Sequence, residues 1–185
     1  MGKHIEGEEA AAAKPKHPFL SSVKEFLLIV VVAILLSVGL NTFVAQPFRI
    51  PSSSMENTLL IGDQVLVTKI NKELKRGDVA GIGGDRVKCC TADGKITVNG
   101  KAITEPYLKP GSHPSLLSFD VKVPANSYWM MGDNRDNSGD SRLHMSGPLS
   151  GAIAQEDIVG PAKRIMWPVG RWGSLGAQDV FESVK

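Results

Sequence analysis

An apolar stretch near the N-terminus constrains this chain more than any other feature. No charged residue occurs between Phe26 and Phe48, and Phe26–Leu40 reads FLLIVVVAILLSVGL. An α-helix rises 1.5 Å per residue, so about 20 residues cross the roughly 30 Å hydrocarbon core of a bilayer. A helix on the surface of a soluble domain would need a polar face, which this stretch lacks. We therefore predict a transmembrane helix within residues 21–45.

A cleavable secretory signal is the competing interpretation of the same stretch. Such signals have an apolar core of about 7–15 residues and small residues before the cleavage point. Here the apolar stretch continues to Ala45, and the bulky Phe43 occupies one of the positions where a small residue would be needed. We therefore expect the helix to be retained as an anchor.

Basic residues on the two sides of the helix predict its orientation. Lys3, Lys14, Lys16 and Lys24 precede the apolar stretch, whereas only Arg49 follows it closely. The positive-inside rule then puts the N-terminus in the cytoplasm. We expect a single-pass plasma-membrane protein with a disordered cytoplasmic tail over residues 1–20 and an extracytoplasmic domain over residues 46–185, because the tail is a low-complexity mixture of Ala, Glu, Lys, Gly and Pro.

The outer portion is predicted to be mainly β. Gln64–Ile70 is rich in β-branched residues, and Asn99-Gly100 between two short apolar runs is a strong signal for a two-residue hairpin. Phe119, Val121 and Val123 alternate with polar residues. Such short, turn-bounded segments favour antiparallel sheets, and two further strands are expected, at Ser127–Met131 and Ala162–Trp167.

Charge and cysteine content exclude some functions. Lys and Arg exceed Asp and Glu by only two, 21 against 19, so bulk charge does not suggest a nucleic-acid partner. The two cysteines, Cys89 and Cys90, are adjacent, which excludes a CxxC redox or zinc motif.

Two polar, irregular segments could carry chemistry. The first, Arg49–Leu59, follows the apolar helix, and the second, Met131–Arg142, reads MGDNRDNSGDSR. By composition alone both are loops, because Ser, Asn, Asp and Gly favour turns. The second segment partly matches a calcium-binding loop, but Met145 falls where an EF-hand needs a bidentate glutamate. We therefore expect no metal site.

Together with the apolar helix, the two segments resemble the type I signal peptidases. PSSSMENTL is similar to the family's P-S-x-S-M-x-P-T-L box, with Asn57 in place of the proline, and GDNRDNSGDSR matches G-D-N-R-x-x-S-x-D-S-R at every fixed position. GGDRVKCC, the Asn-Gly hairpin and EPYL look like the actinobacterial or Gram-positive branch. The resemblance covers nearly all of residues 20–170. It implies the family's antiparallel β-sheet domain and no metal or organic cofactor. It also implies that the substrates are the signal peptides of exported preproteins, which the enzyme meets at the membrane, with possible contacts to the secretion machinery.

The resemblance also implies roles for individual residues. Ser54 would be the nucleophile that forms an acyl-enzyme, and the Ser54 backbone N–H and the Ser52 hydroxyl would form the oxyanion hole. Ser138 would help to position the general base. The remaining members would support the site, Asp140 with Arg142 as an ion pair and Asp133, Asn134 and Arg135 by shaping the loop.

The sequence departs from the family at the general base. The family's lysine begins K-R-V-I-G-x-x-G-D, on a strand well separated from an earlier R-G-D-V. Here Arg76–Val79 runs almost directly into Gly83-Gly84-Asp85, and a gapless count places the lysine position at Gly77. The intervening loop, the strand and the lysine look deleted together, which would leave neighbouring strands with unpaired edges.

Several explanations stay open. The chain could be an inactive deletion product, or a membrane-anchored paralogue that only binds signal peptides. Another lysine could have been recruited, with Lys88 first because it follows the retained Gly-Gly-Asp turn, and with Lys69, Lys72 and Lys75 as further candidates. A histidine base is disfavoured, because His4 and His17 precede the anchor while His113 and His144 read as ordinary surface residues.

Two related enzyme classes are also considered. A conjugation-pilus peptidase or an SOS-repressor autoprotease would be a self-cleaving or narrow-substrate relative with similar chemistry. The SOS repressors would not need the anchor and would carry a DNA-binding domain, so the anchor and the second box weigh against them.

Overall fold

A computed structural model describes residues 18–176, 179–181 and 184. The predicted tail over residues 1–20 lies almost wholly outside these residues. The chain divides into two compact units, one ending at Leu40 and the other running from Asn41 onward.

In the first unit, the described residues form one long helix. Helix α1 covers Pro18–Gly39 and is followed by a π-helical turn over Leu40–Val44. By length and composition, Ser22–Val44 is able to cross a membrane, with a mean hydropathy of 2.7. Its side chains from Ser22 onward are exposed, apart from a few half-buried ones near its C-terminal end. A stretch so apolar and so poorly covered by protein is suited to lipid, as the sequence predicts.

The second unit is built from short antiparallel strands, so the predicted mainly β class is confirmed. The strands are β1 Ala45–Arg49, β2 Gln64–Thr68, β3 Gly81–Ile82, β4 Arg86–Cys89, β5 Thr97–Val98, β6 Lys101–Ala102, β7 Phe119–Lys122, β8 Ser127–Trp129, β9 Ile153–Ala154, β10 Ala162–Trp167 and β11 Gly173–Ser174. They form three sheets, in the orders β1-β2-β10-β11, β3-β8-β9 and β6-β5-β4-β7.

The first sheet holds the loop that contains Ser54. Strand β1 pairs with β2 from Ala45 opposite Thr68 to Arg49 opposite Gln64, and β10 lies on the other side of β2. Leu59 from the connecting loop is buried with Val65, Val67 and Ile165 beneath it. The two ends of the β1–β2 loop are therefore held together by strand pairing, and Leu59 of the loop packs against the sheet.

The largest core lies between the other two sheets. Val87, Ile96, Val98 and Trp129 are completely buried there. The predicted Asn-Gly hairpin joins β5 to β6, and both turn residues have positive φ, 52° for Asn99 and 80° for Gly100. This is the backbone that a type I′ turn requires.

The region of the apparent deletion forms a tight turn and a very short edge strand. Within the part of the chain that the structure describes, strand β3 pairs with β8 alone and lies at the edge of its sheet. Arg76 and Asp85, which flank this region, are joined by two hydrogen bonds of 2.9 and 2.7 Å. Burial opposes ionisation of Asp85, but Arg76, the Ile82 N–H and Asn99 together hold its pKa below the usual value. The two retained segments are thus tied to each other at the junction.

Candidate active site

The loop between β1 and β2 holds Ser54 half-buried. The sheet ladder continues into the loop, because the Ile50 N–H donates to the Asp63 carbonyl at 2.8 Å and the Gly62 N–H donates to the Ile50 carbonyl at 2.9 Å. Asp63 is buried, and its carboxylate accepts from the Leu60 N–H at 2.8 Å and from Arg171 at 3.0 Å. The loop that carries the serine is therefore fixed at both ends.

The second polar segment docks onto the serine segment through the backbone. The Asn134 N–H donates to the Ser54 carbonyl at 2.9 Å, and the Asn134 side-chain amide donates to the Ser53 carbonyl at 3.0 Å. Asn137 donates to the Ser53 hydroxyl at 2.8 Å. These bonds bring together the two segments that the sequence singled out, although they are about 80 residues apart.

Gly132 lies where the two segments approach most closely. A Cβ built on Gly132 would sit 2.5 Å from the Ser54 carbonyl oxygen and in collision with the Ser138 hydroxyl. Only a residue without a side chain fits there, so steric crowding explains why position 132 is a glycine. Ser138 accordingly lies beside Gly132, and it lines the same cleft as Ser54.

Two buried ion pairs support the second segment. Arg142 donates to both carboxylate oxygens of Asp140 at 2.8 Å, and Arg135 donates to Glu105 at 2.5 and 3.0 Å. Arg142 also donates to the Arg135 carbonyl at 2.7 Å, which links the two pairs. Burial opposes the ionised form of Asp140, but Arg142 and the Gly132 N–H hold its pKa below the usual value.

Asp133 has a different environment. Its carboxylate accepts a short hydrogen bond from the Thr58 hydroxyl of the serine loop. Burial raises the pKa of Asp133, and the Thr58 hydrogen bond and the charge of Arg135 only partly offset this effect. Asp133, Asn134 and Arg135 are all buried.

The Ser52 and Ser54 hydroxyl oxygens are 3.2 Å apart. The two hydroxyl groups are therefore within hydrogen-bonding reach of each other. At this distance either hydroxyl group is able to donate a hydrogen bond to the other one.

Ser54 lines an open cleft of about 720 Å³. Met55, Met130 and Met131 form part of its wall and also line an adjoining cavity of about 220 Å³. More of the cleft surface is apolar than polar, and Leu149, Ala152 and Ile153 are among its lining residues. A mostly apolar cleft with a few polar groups is typical of a binding site.

Among the described residues, no lysine lines the cleft that contains Ser54. Lys88 projects from β4 into solvent, with 57% of its side chain exposed, and lies 3.8 Å from Asp120. Lys69 donates to the Asn41 and Thr42 carbonyls at 3.0 and 3.3 Å, while Lys72 and Lys75 are exposed. The structure therefore brings none of the four candidate lysines into this cleft.

Several residues of the site were missed from sequence. Glu105 was noted only within EPYL, yet it is the buried partner of Arg135. Arg171 donates to the Thr58 carbonyl at 3.1 Å as well as to Asp63, and Asp78 lines the Ser54 cleft. No spacing rule links these positions to the boxes. A buried arginine does, however, require a carboxylate partner, so Glu105 could have been sought on that ground.

A serine hydroxyl beside a second hydroxyl, in an apolar cleft and on a rigidly held loop, defines a serine-hydrolase type of site. Comparison with known proteins narrows the class. The family described as "Signal peptidase, peptidase S26" matches residues 23–80 and 75–167. The chain is 30% identical over 239 residues to signal peptidase I of Mycobacterium tuberculosis (strain ATCC 25618 / H37Rv), covering 91% of this chain and 81% of that protein.

Other relatives agree. The chain is 34% identical over 180 residues to the probable signal peptidase I-2 of Synechocystis sp. (strain ATCC 27184 / PCC 6803 / Kazusa), covering 84% of this chain and 78% of that protein. It is 35% identical over 164 residues to signal peptidase I T of Bacillus subtilis (strain 168), covering 75% and 82%. This chain belongs to the signal peptidase family.

The comparisons also bear on the missing stretch. The alignment with the mycobacterial protein spans 239 residues, more than the 185 in this chain, so that relative has residues that this chain lacks. The two family matches meet at residues 75–80, where the sequence places the junction.

Proposed function

We propose that this chain is a membrane-anchored serine endopeptidase that removes N-terminal signal peptides from exported preproteins. The observation that carries the proposal is Ser54, held at the wall of an apolar cleft by hydrogen bonds from the second box. The Ser54 hydroxyl attacks the scissile carbonyl and forms an acyl-enzyme. The Ser54 N–H and the Ser52 hydroxyl donate to the developing oxyanion.

The other proposed roles belong to residues that hold this geometry. Asp140 and Arg142 form a rigid bidentate pair, and Asn134 holds the Ser54 backbone. Asp133, Arg135 and Ser138 complete the support. The assignment of Lys88 as the substitute base remains a prediction from the sequence, and Lys88→Ala tests it.

The proposal includes the membrane arrangement. Residues 21–45 anchor the chain in the plasma membrane as a single pass, residues 1–20 stay in the cytoplasm, and residues 46–185 act outside. Signal peptides and bilayer lipid are then the partners, and contact with the secretion machinery follows from that position. Trypsin added to intact spheroplasts should digest the β domain. A β domain that is digested only after lysis would contradict the proposed orientation.

Cleavage of a preprotein by the full detergent-solubilised chain tests the activity. The substrate carries small residues at the first and third positions before the cut, and sequencing of the product's N-terminus locates the cleaved bond. Ser54→Ala should abolish cleavage. A wild-type chain as inert as Ser54→Ala would refute the peptidase activity, and signal-peptide binding by that chain would then indicate the non-catalytic paralogue.

A further inference from the structure

The Ser54 cleft contains an ionisable side chain for which the two boxes do not account. Among the described residues, the ionisable groups that line the cleft are Asp78, Asp140 and His144. Both oxygens of Asp140 are engaged by Arg142, and one of them also accepts from the Gly132 N–H at 3.1 Å. His144 is exposed at the protein surface. Asp78 is the remaining group.

Asp78 lies on the wall that the cleft shares with the adjoining cavity. It lines both, as Met55, Met130 and Met131 do. Its side chain is only 16% exposed. Met55, the residue after Ser54, and Asp78 therefore both belong to the wall between the cleft and the cavity. The apolar surroundings of the cleft strengthen electrostatic interactions.

The turn that closes the shortened connection holds Asp78 in this position. The Asp78 N–H donates to the Lys75 carbonyl at 3.0 Å, and the Lys75 N–H donates to Asp78 Oδ2 at 3.1 Å. Gly77 has a φ of 97°, which only glycine adopts readily, and its N–H donates to the Val79 carbonyl at 3.1 Å. The turn at Lys75–Val79 therefore fixes the backbone of Asp78 and one of its carboxylate oxygens.

The charges around Asp78 leave one of its oxygens available. Asp78 Oδ2 is used by the turn, whereas Oδ1 has Lys163 Nζ of β10 at 4.0 Å, beyond hydrogen-bonding distance. The other charged groups that face this region are Asp140 and His144 in the cleft and, in the adjoining cavity, Asp133 and Arg135 with Tyr107.

We propose that Asp78 is the general base of this chain; the proposal rests on the proposed peptidase function. As Ser54 Oγ bonds to the scissile carbonyl carbon, its proton passes to the Asp78 carboxylate, directly or through one water. Protonated Asp78 gives this proton to the departing amine as the C–N bond breaks. Water then attacks the acyl-enzyme and gives a proton to Asp78, which returns it to Ser54 Oγ as the acyl C–O bond breaks.

Four variants of the full detergent-solubilised chain test this assignment against the sequence-based one. Asp78→Asn keeps a side-chain oxygen for the Lys75 N–H but cannot accept a proton. We expect it to lower kcat for preprotein cleavage about 100-fold or more while leaving KM nearly unchanged. Asp78→Glu should restore much of the rate, and Ser54→Ala gives the background. Loss of cleavage in Lys88→Ala would overturn the Asp78 assignment in favour of the sequence-based one.

The pH profile of the wild-type chain is an independent measurement that needs no variant to fold. A carboxylate base keeps kcat high on the acid side of neutral pH, whereas a lysine base gives an alkaline limb, because carboxylates in general lose their proton at lower pH than ammonium groups do. The Asp78 assignment would be overturned if Asp78→Asn cleaved at the wild-type rate, or if the wild-type rate rose only above neutral pH. The peptidase function would stand in both cases. Absence of cleavage above the Ser54→Ala background would overturn both.

Discussion

The buried pair between Arg135 and Glu105 makes a sharp prediction about stability. Only 1% of the Arg135 side chain and 3% of the Glu105 side chain are exposed. Glu105→Gln keeps the shape but removes the negative charge, and arginine cannot give up its proton in response. Breaking a buried ion pair in this way costs about 3–5 kcal/mol, because one charge stays buried without its partner.

The chain offers a matched control in Asp120→Asn. Asp120 is bound by Arg86 with similar bidentate geometry, at 2.6 and 2.9 Å, but 69% of the Arg86 side chain is exposed. Water and salt screen such a pair, so its loss should leave stability almost unchanged. Each substitution removes the charge of a carboxylate that an arginine binds with two hydrogen bonds, and the two arginine pairs differ mainly in burial.

Thermal unfolding of the detergent-solubilised chain, followed by near-UV circular dichroism, measures the difference. The signal of Trp129, which is completely buried, reports on the core. For a domain of this size the predicted cost for Glu105→Gln lowers Tm by roughly 10–20 °C. Equal shifts for Glu105→Gln and Asp120→Asn would refute the argument from burial.

Two further predictions concern the site and its pH dependence. Gly132→Ala should strongly reduce preprotein cleavage, because the added Cβ would displace Ser54. Gly139→Ala should cleave normally, because Gly139 has open space around it. The cleavage rates of the two variants check this prediction. Asp85 and Asp140 have folded-state pKa values below those of an unfolded chain. Their contribution to stability is therefore complete above about pH 4 and is lost as the pH falls through the folded-state values, so a Tm series should decline on acidification, less steeply in Asp140→Asn.

The fold was partly predictable because some strands carry local signals. Ala162–Trp167 was predicted with the bounds that the structure has, and Asn99-Gly100 formed the expected hairpin. Strand β1, Ala45–Arg49, was missed and had been assigned to the anchor and the loop. Its sequence, AQPFR, has no alternation, so only its pairing with β2 makes it a strand.

Local sequence by itself determined the apolar helix, the mainly β class and the two boxes, because apolar length, alternation and short motifs are properties of neighbouring residues. The tertiary structure decided which side chains meet. Glu105 reaches Arg135 across 30 residues, and Ser54 and Asp78 line one cleft although they lie on different segments. Whether a lysine or a carboxylate stands beside a serine depends on the path of the chain through three dimensions, which no local pattern encodes.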